Sequence, residues 1–401
     1  MRLSSPVISK QVIKGLVEMG VDVIDVGLVS TPTFYYAVAN GNYDGGLQVS
    51  ASHNPKEYNG IKFVREEAKP VGLFNGLDKI RDLYIENNFA EADNGTIEKK
   101  EGVLADIVDY SMKFYDFNIG KFKIVADAAN AMSIPDLEAF FDKLSCELVK
   151  MNFTLDGTFP VHQADPFKPE NVVDLKKKVI EEKADLGIAT DGDGDRIFFI
   201  DNNGEMIDPA IIRGMLAKEV LKHNPGATIC YDIRPGMITK DMIVENGGTP
   251  HVTKVGHSLI KAKAIELDSP FAGESSGHFF FKTNVGFFET PLIVTLIILN
   301  EMTKEGKPIS EIVAPLNKYF HSGEINSTVE DKEGVMKKLE ELYRVGAKNV
   351  SKLDGVSIEH EDYWFNVRAS NTEQLLRLNL EARTNEKMEK MRDEILAVIR
   401  N

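Results

Sequence analysis

The chain has 401 residues, 43% of them hydrophobic and 27% charged, which is globular composition for roughly two to four domains and excludes a largely disordered chain. Its 47 basic and 62 acidic residues give a net charge of −15. No basic field offsets phosphate repulsion, so general nucleic-acid or anionic-membrane binding is disfavoured, although a small anion can still sit in a locally positive cleft. The cysteines, Cys146 and Cys230, form no disulfide framework and favour a cytoplasmic reading.

The segment Met1–Pro6 carries no apolar signal-peptide core. A first helix is predicted from Ser5, which can cap it, with Pro6 in the first turn and Val7, Ile8, Val12, Leu16 and Met19 at helical spacing up to Gly20. Val21–Val26 follows as a strand, Thr31 and Pro32 open a second helix, and Gly46–Val49 is a further strand. Helices alternating with short apolar strands indicate an α/β domain with a largely parallel sheet. The pattern is entered on a helix, with no strand before it. Asp93–Glu101, a turn-forming and charged stretch, is a boundary. Lys123–Asp127 starts the next unit, and Asp185–Ala189 and Ile197–Ile200 are strands flanking an acidic loop. Asp208 and Pro209 start a third unit, with strand Thr228–Tyr231. The most apolar run, Pro291–Leu299, is too short to span a bilayer and reads as a buried helix. The last unit holds a helix over Asp331–Tyr343, strands Tyr363–Arg368 and Leu375–Ala382, and a final helix capped by Thr384 with Met388, Met391, Ile395 and Val398 as its buried stripe. The expected domains are 1–99, 100–205, 206–315 and 316–401.

Each unit supplies one polar loop. Ser50-Ala-Ser52-His53-Asn-Pro55, followed by Lys62, lies directly after a strand, where α/β folds present ligand groups. Ser52 suits a nucleophile or phosphoryl carrier, and His53 and Lys62 can offset phosphate charge; a plain turn remains the simpler reading of the composition. Asp191-Gly-Asp193-Gly-Asp195-Arg196 places three carboxylates at alternating positions, able to converge on one hard cation. An EF-hand is excluded, because Arg196 stands where its glycine is needed and Asn202 where its glutamate is. A solvated acidic turn is disfavoured by repulsion between carboxylates packed between apolar strands. The all-oxygen ligands suit Mg2+, with Arg196 beside it to grip a phosphate. Gly273-Glu274-Ser-Ser276-Gly-His278 offers an acceptor and a donor for sugar hydroxyls and a proton-moving imidazole, or a structural turn. Arg368-Ala-Ser370-Asn371-Thr372-Glu373 suits a phosphate dianion, or a hairpin with a surface arginine.

These four motifs, in this order, resemble the α-D-phosphohexomutase family, most nearly its bacterial and archaeal phosphomannomutase/phosphoglucomutase branch, over essentially the whole chain. The resemblance implies an α/β fold of three α/β domains with mixed, largely parallel sheets plus a small C-terminal α+β domain around a central cleft. It makes Ser52 the phosphorylated serine, and Asp191, Asp193 and Asp195 the Mg2+ ligands, with a phosphoserine oxygen completing the site. Glu274 and Ser276 become sugar contacts, and Arg368, Ser370, Asn371 and Thr372 the phosphate loop. Lys62, His278, His257 and Arg234 match further active-site contacts, Lys62 and His278 being the candidates for proton transfer.

Two departures stand out. Gln374 replaces a proline common in relatives. An upstream Tyr-Asp-Ile-Arg-Gly-type motif is expected to be missing, with strands of the first domain and an arginine contact to phosphate; Tyr231-Asp-Ile-Arg234 lies in the third unit and does not replace it. A wrong start, a fragment or a true short form would each account for this. The implied activity interconverts hexose 1-phosphate and hexose 6-phosphate, mannose or glucose, through phosphoserine and a hexose 1,6-bisphosphate intermediate that also serves as activator. The alternatives are a phosphoglucosamine mutase, disfavoured by Ser275 where glutamine is usual, and an inactive sugar-phosphate-binding protein. The partners implied are phosphosugars, with monomer and dimer both compatible.

Overall fold

The computed structural model describes residues 1–87, 89, 92–370 and 373–401. The chain divides into two compact units, Met1–Ile207 with Ser276–Ile312, and Asp208–Ser275 with Val313–Asn401.

In the first unit, the opening helix is Ser5–Glu18. Ser4, not Ser5, precedes it, and no side chain among the described residues caps it; Pro6 sits in its first turn, where a missing N–H costs nothing. The strand predicted over Val21–Val26 is confined to Val23–Asp25, paired in parallel with Ile97–Lys99. Helix Thr31–Asn40 is capped by Ser30, whose side chain accepts from the Thr33 N–H, and it is buried from Thr31 to Ala39. Gly45–Val49 runs antiparallel to Ile61–Arg65, so the Ser52 loop joins two hydrogen-bonded strands and both of its ends are fixed.

The next sheet is centred on Lys123–Asp127, with Glu147–Met151 and Leu186–Thr190 parallel on either side. Ile197–Ile200 closes it antiparallel to Leu186–Thr190. Both of these last strands are buried at every position, as strands covered on two faces are. Helix Val173–Glu182 lies against them, with Leu175 and Val179 sharing a core with Val125, Phe198 and Ile200. Gly187 permits this approach, since a Cβ there would come within 2.7 Å of Val179 and 2.8 Å of Ile200. The acidic loop is therefore a tight turn on a rigid base. The apolar run from Pro291 forms helix Pro291–Glu305, buried along most of its length.

In the second unit, Thr228–Asp232 runs parallel to Thr249–Thr253 on one side and to Phe271–Gly273 on the other. The C-terminal sheet pairs Tyr363–Ala369 with Leu375–Ala382 in antiparallel register, with Val356–Glu359 and Asn349–Ser351 beyond one edge. Ile325–Thr328 and Phe320–His321 both pair with Leu375–Ala382. Helices Lys332–Tyr343 and Asn385–Arg400 are capped by Asp331 and Thr384. The last helix buries Met388, Met391, Ile395 and Ile399. Val398, expected in that stripe, only packs against the core edge, because Ile399 stands four residues after Ile395 and takes the inward position. Among the described residues, no helix is long and apolar enough to cross a membrane.

Candidate active site

The turn 191–196 brings its three carboxylates to one point in the first unit. Gly194 has φ +76°, a conformation that glycine adopts without strain. Gly192 serves a different need, because a Cβ there would run into the Ser52 carbonyl oxygen. The loops carrying Ser52 and Asp191, 139 positions apart in sequence, thus meet backbone to backbone. The Ser52 hydroxyl donates to Asp191 Oδ2 at 2.7 Å, and His53 Nδ1 lies 3.1 Å from the same hydroxyl oxygen. Ser52 itself has φ +46°, an uncommon backbone state for a non-glycine residue.

Asp191, Asp193 and Asp195 are buried, at 0%, 2% and 1% exposure. Lys62 reaches in from strand Ile61–Arg65 and places Nζ 2.7 Å from Asp193 Oδ2 and 2.6 Å from Asp195 Oδ2. Burial alone would lower the lysine pKa, but the charges of Asp193 and Asp195 overcome it and hold Lys62 well above its ordinary value. Burial followed by the charges of Asp193 and Asp195 pushes Asp191 well up. Asp193 goes the other way: burial opposes its charge, but Lys62 and the Thr31 hydroxyl hold it low. Thr31 Oγ1 and Ser50 Oγ donate to Asp193 Oδ2 at 2.7 and 3.1 Å. The N–H groups of Gly194 and Arg196 donate to Asp191 Oδ1.

Arg196 donates from Nε to His278 Nε2 at 3.0 Å. His278 therefore carries its proton on Nδ1, which lies 3.5 Å from Asp195 Oδ1 and 3.4 Å from Glu289 Oε1. Gln163 donates to the His53 carbonyl at 2.7 Å. Burial, aided by the nearby Arg196 charge, drops the His53 pKa to about 4, so this imidazole is neutral at pH 7. Ser52, His53, Lys62, the three aspartates, Arg196 and His278 thus form one cluster.

This cluster fits a divalent cation. Each aspartate offers an oxygen, and these atoms lie within 4.8 Å of one another. Asp193 Oδ1 and Asp195 Oδ1 are buried with no hydrogen-bond partner among the described residues, and buried acceptors normally have one. An all-oxygen donor set is what Mg2+ and Ca2+ prefer.

The second unit holds the other predicted residues except Ser276, which is buried beside His278 in sequence and belongs to the first unit. Asp232, at the end of strand Thr228–Asp232, organises its surroundings. It accepts from Arg213 Nη1 at 2.5 Å, from Arg234 Nε, and from the Ser275 N–H and hydroxyl at 3.0 and 3.1 Å. Arg234 Nη2 lies 3.7 Å from Glu274 Oε1. The same glutamate oxygen accepts from the Gly256 N–H at 3.2 Å, just before His257 opens helix His257–Glu266.

On the C-terminal sheet, Arg368 lies directly opposite Arg377 in register. Like charges so placed repel. Glu324 offsets them, with Oε2 2.6 Å from Arg368 Nη2 and Oε1 3.4 Å from Arg377 Nη1; Asn379 donates to it at 3.3 Å. The Ser370 N–H donates to the Leu375 carbonyl at 2.9 Å, and Lys332 Nζ donates to the carbonyls of Ser370 and Glu373, both at 3.2 Å. Asn371 and Thr372, predicted in the same loop, lie outside the described residues. Sequence reasoning missed Thr31, Asp232, Glu324 and Lys332. For Asp232 a signal was present, a carboxylate at a strand end two positions before Arg234; the others are joined to the loops only by the fold.

Models of the phosphoglucomutase/phosphomannomutase family match along the chain: α/β/α domains I, II and III over residues 1–91, 104–204 and 208–319, and the C-terminal domain over 324–398. The chain is 37% identical to a phosphomannomutase of Methanocaldococcus jannaschii, over 99% of this chain and 88% of that protein. It is 35% identical to a phosphomannomutase/phosphoglucomutase of Pseudomonas aeruginosa, over 98% and 84%. A crystal structure of a family protein from Burkholderia thailandensis superposes with a TM-score of 0.87 at 33% identity, covering 99% of this chain and 86% of that one. With four family domains in order and relatives matching nearly end to end, the chain belongs to the phosphoglucomutase/phosphomannomutase family.

Proposed function

We propose that this chain is a phosphohexomutase that interconverts hexose 1-phosphate and hexose 6-phosphate, with mannose or glucose as the sugar, using Ser52 as phosphoryl carrier and a hexose 1,6-bisphosphate as intermediate. One observation carries the reading: the Ser52 hydroxyl donates to Asp191 at 2.7 Å inside a buried three-carboxylate cluster flanked by Lys62 and Arg196. A hydroxyl beside a cation site and two basic side chains is suited to phosphoryl transfer, which depends on positioning and charge neutralisation.

In the forward half, the P–O bond to Ser52 breaks as a sugar hydroxyl oxygen bonds to phosphorus, and the hydroxyl proton passes to a protein base. The second half reverses these changes at the other end of the bisphosphate. A divalent cation, for which we propose Mg2+, would be held by Asp191, Asp193, Asp195 and Ser52 and would supply positive charge at the transferring group. Arg196 adds a planar fork of donors for phosphoryl oxygens. Neutral His53, 3.1 Å from the Ser52 oxygen, is placed to exchange its proton. His278 is the proposed partner for the sugar hydroxyl proton, and Lys62, held as an ammonium by Asp193 and Asp195, is proposed to offset phosphoryl charge. Glu274 and Ser276 are assigned to sugar hydroxyls, and Arg234 and His257 to further substrate contacts. Arg368 and Ser370, with Asn371 and Thr372, are assigned to the phosphate that is not reacting. That group must accept either end of the intermediate, so it reads phosphate and not ring position.

The test is a coupled assay with mannose 1-phosphate, glucose 1-phosphate and glucosamine 1-phosphate, run on the wild type and on Ser52→Ala. Turnover of the first two, lost in the variant, is expected. Retained turnover in Ser52→Ala removes the carrier. Preference for glucosamine 1-phosphate replaces the sugar assignment, and no turnover with any substrate leaves a binding protein.

A further inference from the structure

We propose that Arg2 is the positioning residue of the phosphoryl-carrier loop: its guanidinium gathers the backbone carbonyls of that loop and thereby holds Ser52 in the conformation that aims its hydroxyl at Asp191. The proposal rests on the reading of Ser52 as carrier.

The geometry is unusual for a single side chain. Arg2 is only 4% exposed. Its Nη1 donates to the carbonyls of Pro55 at 2.7 Å and Tyr58 at 3.0 Å. Its Nη2 donates to those of Ser52 at 2.7 Å, Asn54 at 2.6 Å and Ala51 at 3.4 Å. Five carbonyls from one short loop thus converge on one group. Pairing within the loop is sparse: the Asn54 N–H reaches the Ala51 carbonyl, the Tyr58 N–H that of Pro55, and the Ser52 N–H the Ser50 hydroxyl. The carbonyls of Ser52, Asn54 and Tyr58 are met by Arg2, and that of His53 by Gln163.

The guanidinium is also seated. The Phe159 ring flanks it at 5.2 Å. Gly157 lies so close to the segment that a Cβ there would come within 2.6 Å of the Met1 carbonyl and 3.2 Å of the Arg2 Cα. Only a planar fork reaches carbonyls on two sides at once; an ammonium is a single point of charge on a flexible stem. The Ser52 backbone at φ +46° is a state that surrounding structure must impose on a non-glycine residue. The carbonyl of that residue is one of the five Arg2 holds. Arg2 does not touch substrate in this account; it acts through the placement of Ser52. A displacement of about 1 Å at a reacting atom is enough to cost roughly 100-fold in rate.

The experiment uses the full chain with Arg2→Ala and Arg2→Lys, and with Ser52→Ala as control. Phosphorylation of Ser52 by glucose 1,6-bisphosphate is followed by intact-mass spectrometry, alongside kcat and KM for glucose 1-phosphate. Both arginine variants are expected to lose roughly 100-fold in Ser52 phosphorylation and in kcat while KM stays within about threefold. Millimolar methylguanidine should restore Arg2→Ala saturably, by tenfold or more, and leave Arg2→Lys unaided. Wild-type phosphorylation rates in either variant, or a loss expressed wholly in KM, would overturn the proposal. So would failure of methylguanidine to restore a folded Arg2→Ala. If Arg2→Ala does not fold, Arg2→Lys decides alone, because turnover within threefold of wild type is incompatible with a required fork. Retained turnover in Ser52→Ala would sink the carrier reading itself, a result separate from any on Arg2.

Discussion

Replacing Lys62 with methionine tests the cation site without recourse to turnover. The Lys62 ammonium bridges Asp193 and Asp195 at 2.7 and 2.6 Å, within a cluster whose carboxylates are almost fully buried. Methionine keeps the length of the stem and deletes the charge. Breaking a buried ion pair from one side costs about 3–5 kcal/mol, because it leaves charge uncompensated. For a unit of this size each kcal/mol moves Tm by roughly 2–4 °C, so the variant should melt roughly 6–20 °C lower in a chelator. A divalent ion that binds only the folded state contributes about 2.7 kcal/mol at 100 times its Kd. In the variant that ion no longer meets a resident ammonium, so it binds more tightly and Mg2+ restores a larger part of Tm than it adds to the wild type. Differential scanning fluorimetry across a Mg2+ titration, against EDTA, reads both effects. A Tm deficit of the same size in EDTA and in saturating Mg2+ would refute the reasoning, since it would mean that Lys62 contributes packing and not charge to the trio.

Two further substitutions probe the surroundings. Asp136 is buried, accepts from the Ser30 and Thr33 hydroxyls, and is pushed by burial to about 6; because this lies above its unfolded value, the folded state loses stability as pH rises from about 4 to 6. Asp136→Asn should therefore match the wild type near pH 4 and exceed it by up to about 3 kcal/mol at pH 8, and a gain independent of pH in urea melts would contradict the assignment. Glu324→Gln keeps the shape beside Arg368 and Arg377 but removes the charge that partly neutralises them. Inorganic phosphate should then bind roughly tenfold tighter, about 1.4 kcal/mol, and calorimetry showing equal or weaker binding would detach Arg368 from phosphate.

The candidate loops were legible because each carries its own signature within six residues. The carboxylates at 191, 193 and 195 alternate with glycines, and the structure gives those glycines distinct tasks: Gly194 turns the chain and Gly192 admits the Ser52 backbone. The strands that frame the acidic turn were legible for a similar reason, since Leu186–Thr190 and Ile197–Ile200 are continuous apolar runs. What stayed hidden is what no local pattern encodes. The antiparallel pairing of Gly45–Val49 with Ile61–Arg65 depends on the whole loop between them, which reads as turn residues in any register. Arg2 looks like a surface arginine until the fold places it beneath Ser52, and Glu324 has no periodicity that announces two arginines across a sheet.

These hidden residues share a physical role that explains why sequence reasoning passes over them. Ser52, Arg368 and the aspartates carry hydroxyl or charged atoms, so their types point to the proposed chemistry. Arg2, Asp232 and Glu324 bear on those atoms through other groups: a backbone carbonyl, an arginine, a neighbouring charge. Each is a buried or half-buried ion that compensates strain or repulsion created by a functional neighbour. Burying such a group is costly unless its hydrogen bonds are met, and each of the three has three or more polar partners in the fold. The candidate loops of this chain could not hold their shapes alone: Ser52 is in a left-handed conformation, Arg368 faces Arg377, and the cations Arg213 and Arg234 converge on Asp232. Loops that carry such conflicts, each within its own unit, draw their compensating ions from distant sequence, because the loop's own positions are taken by the groups that create the conflict.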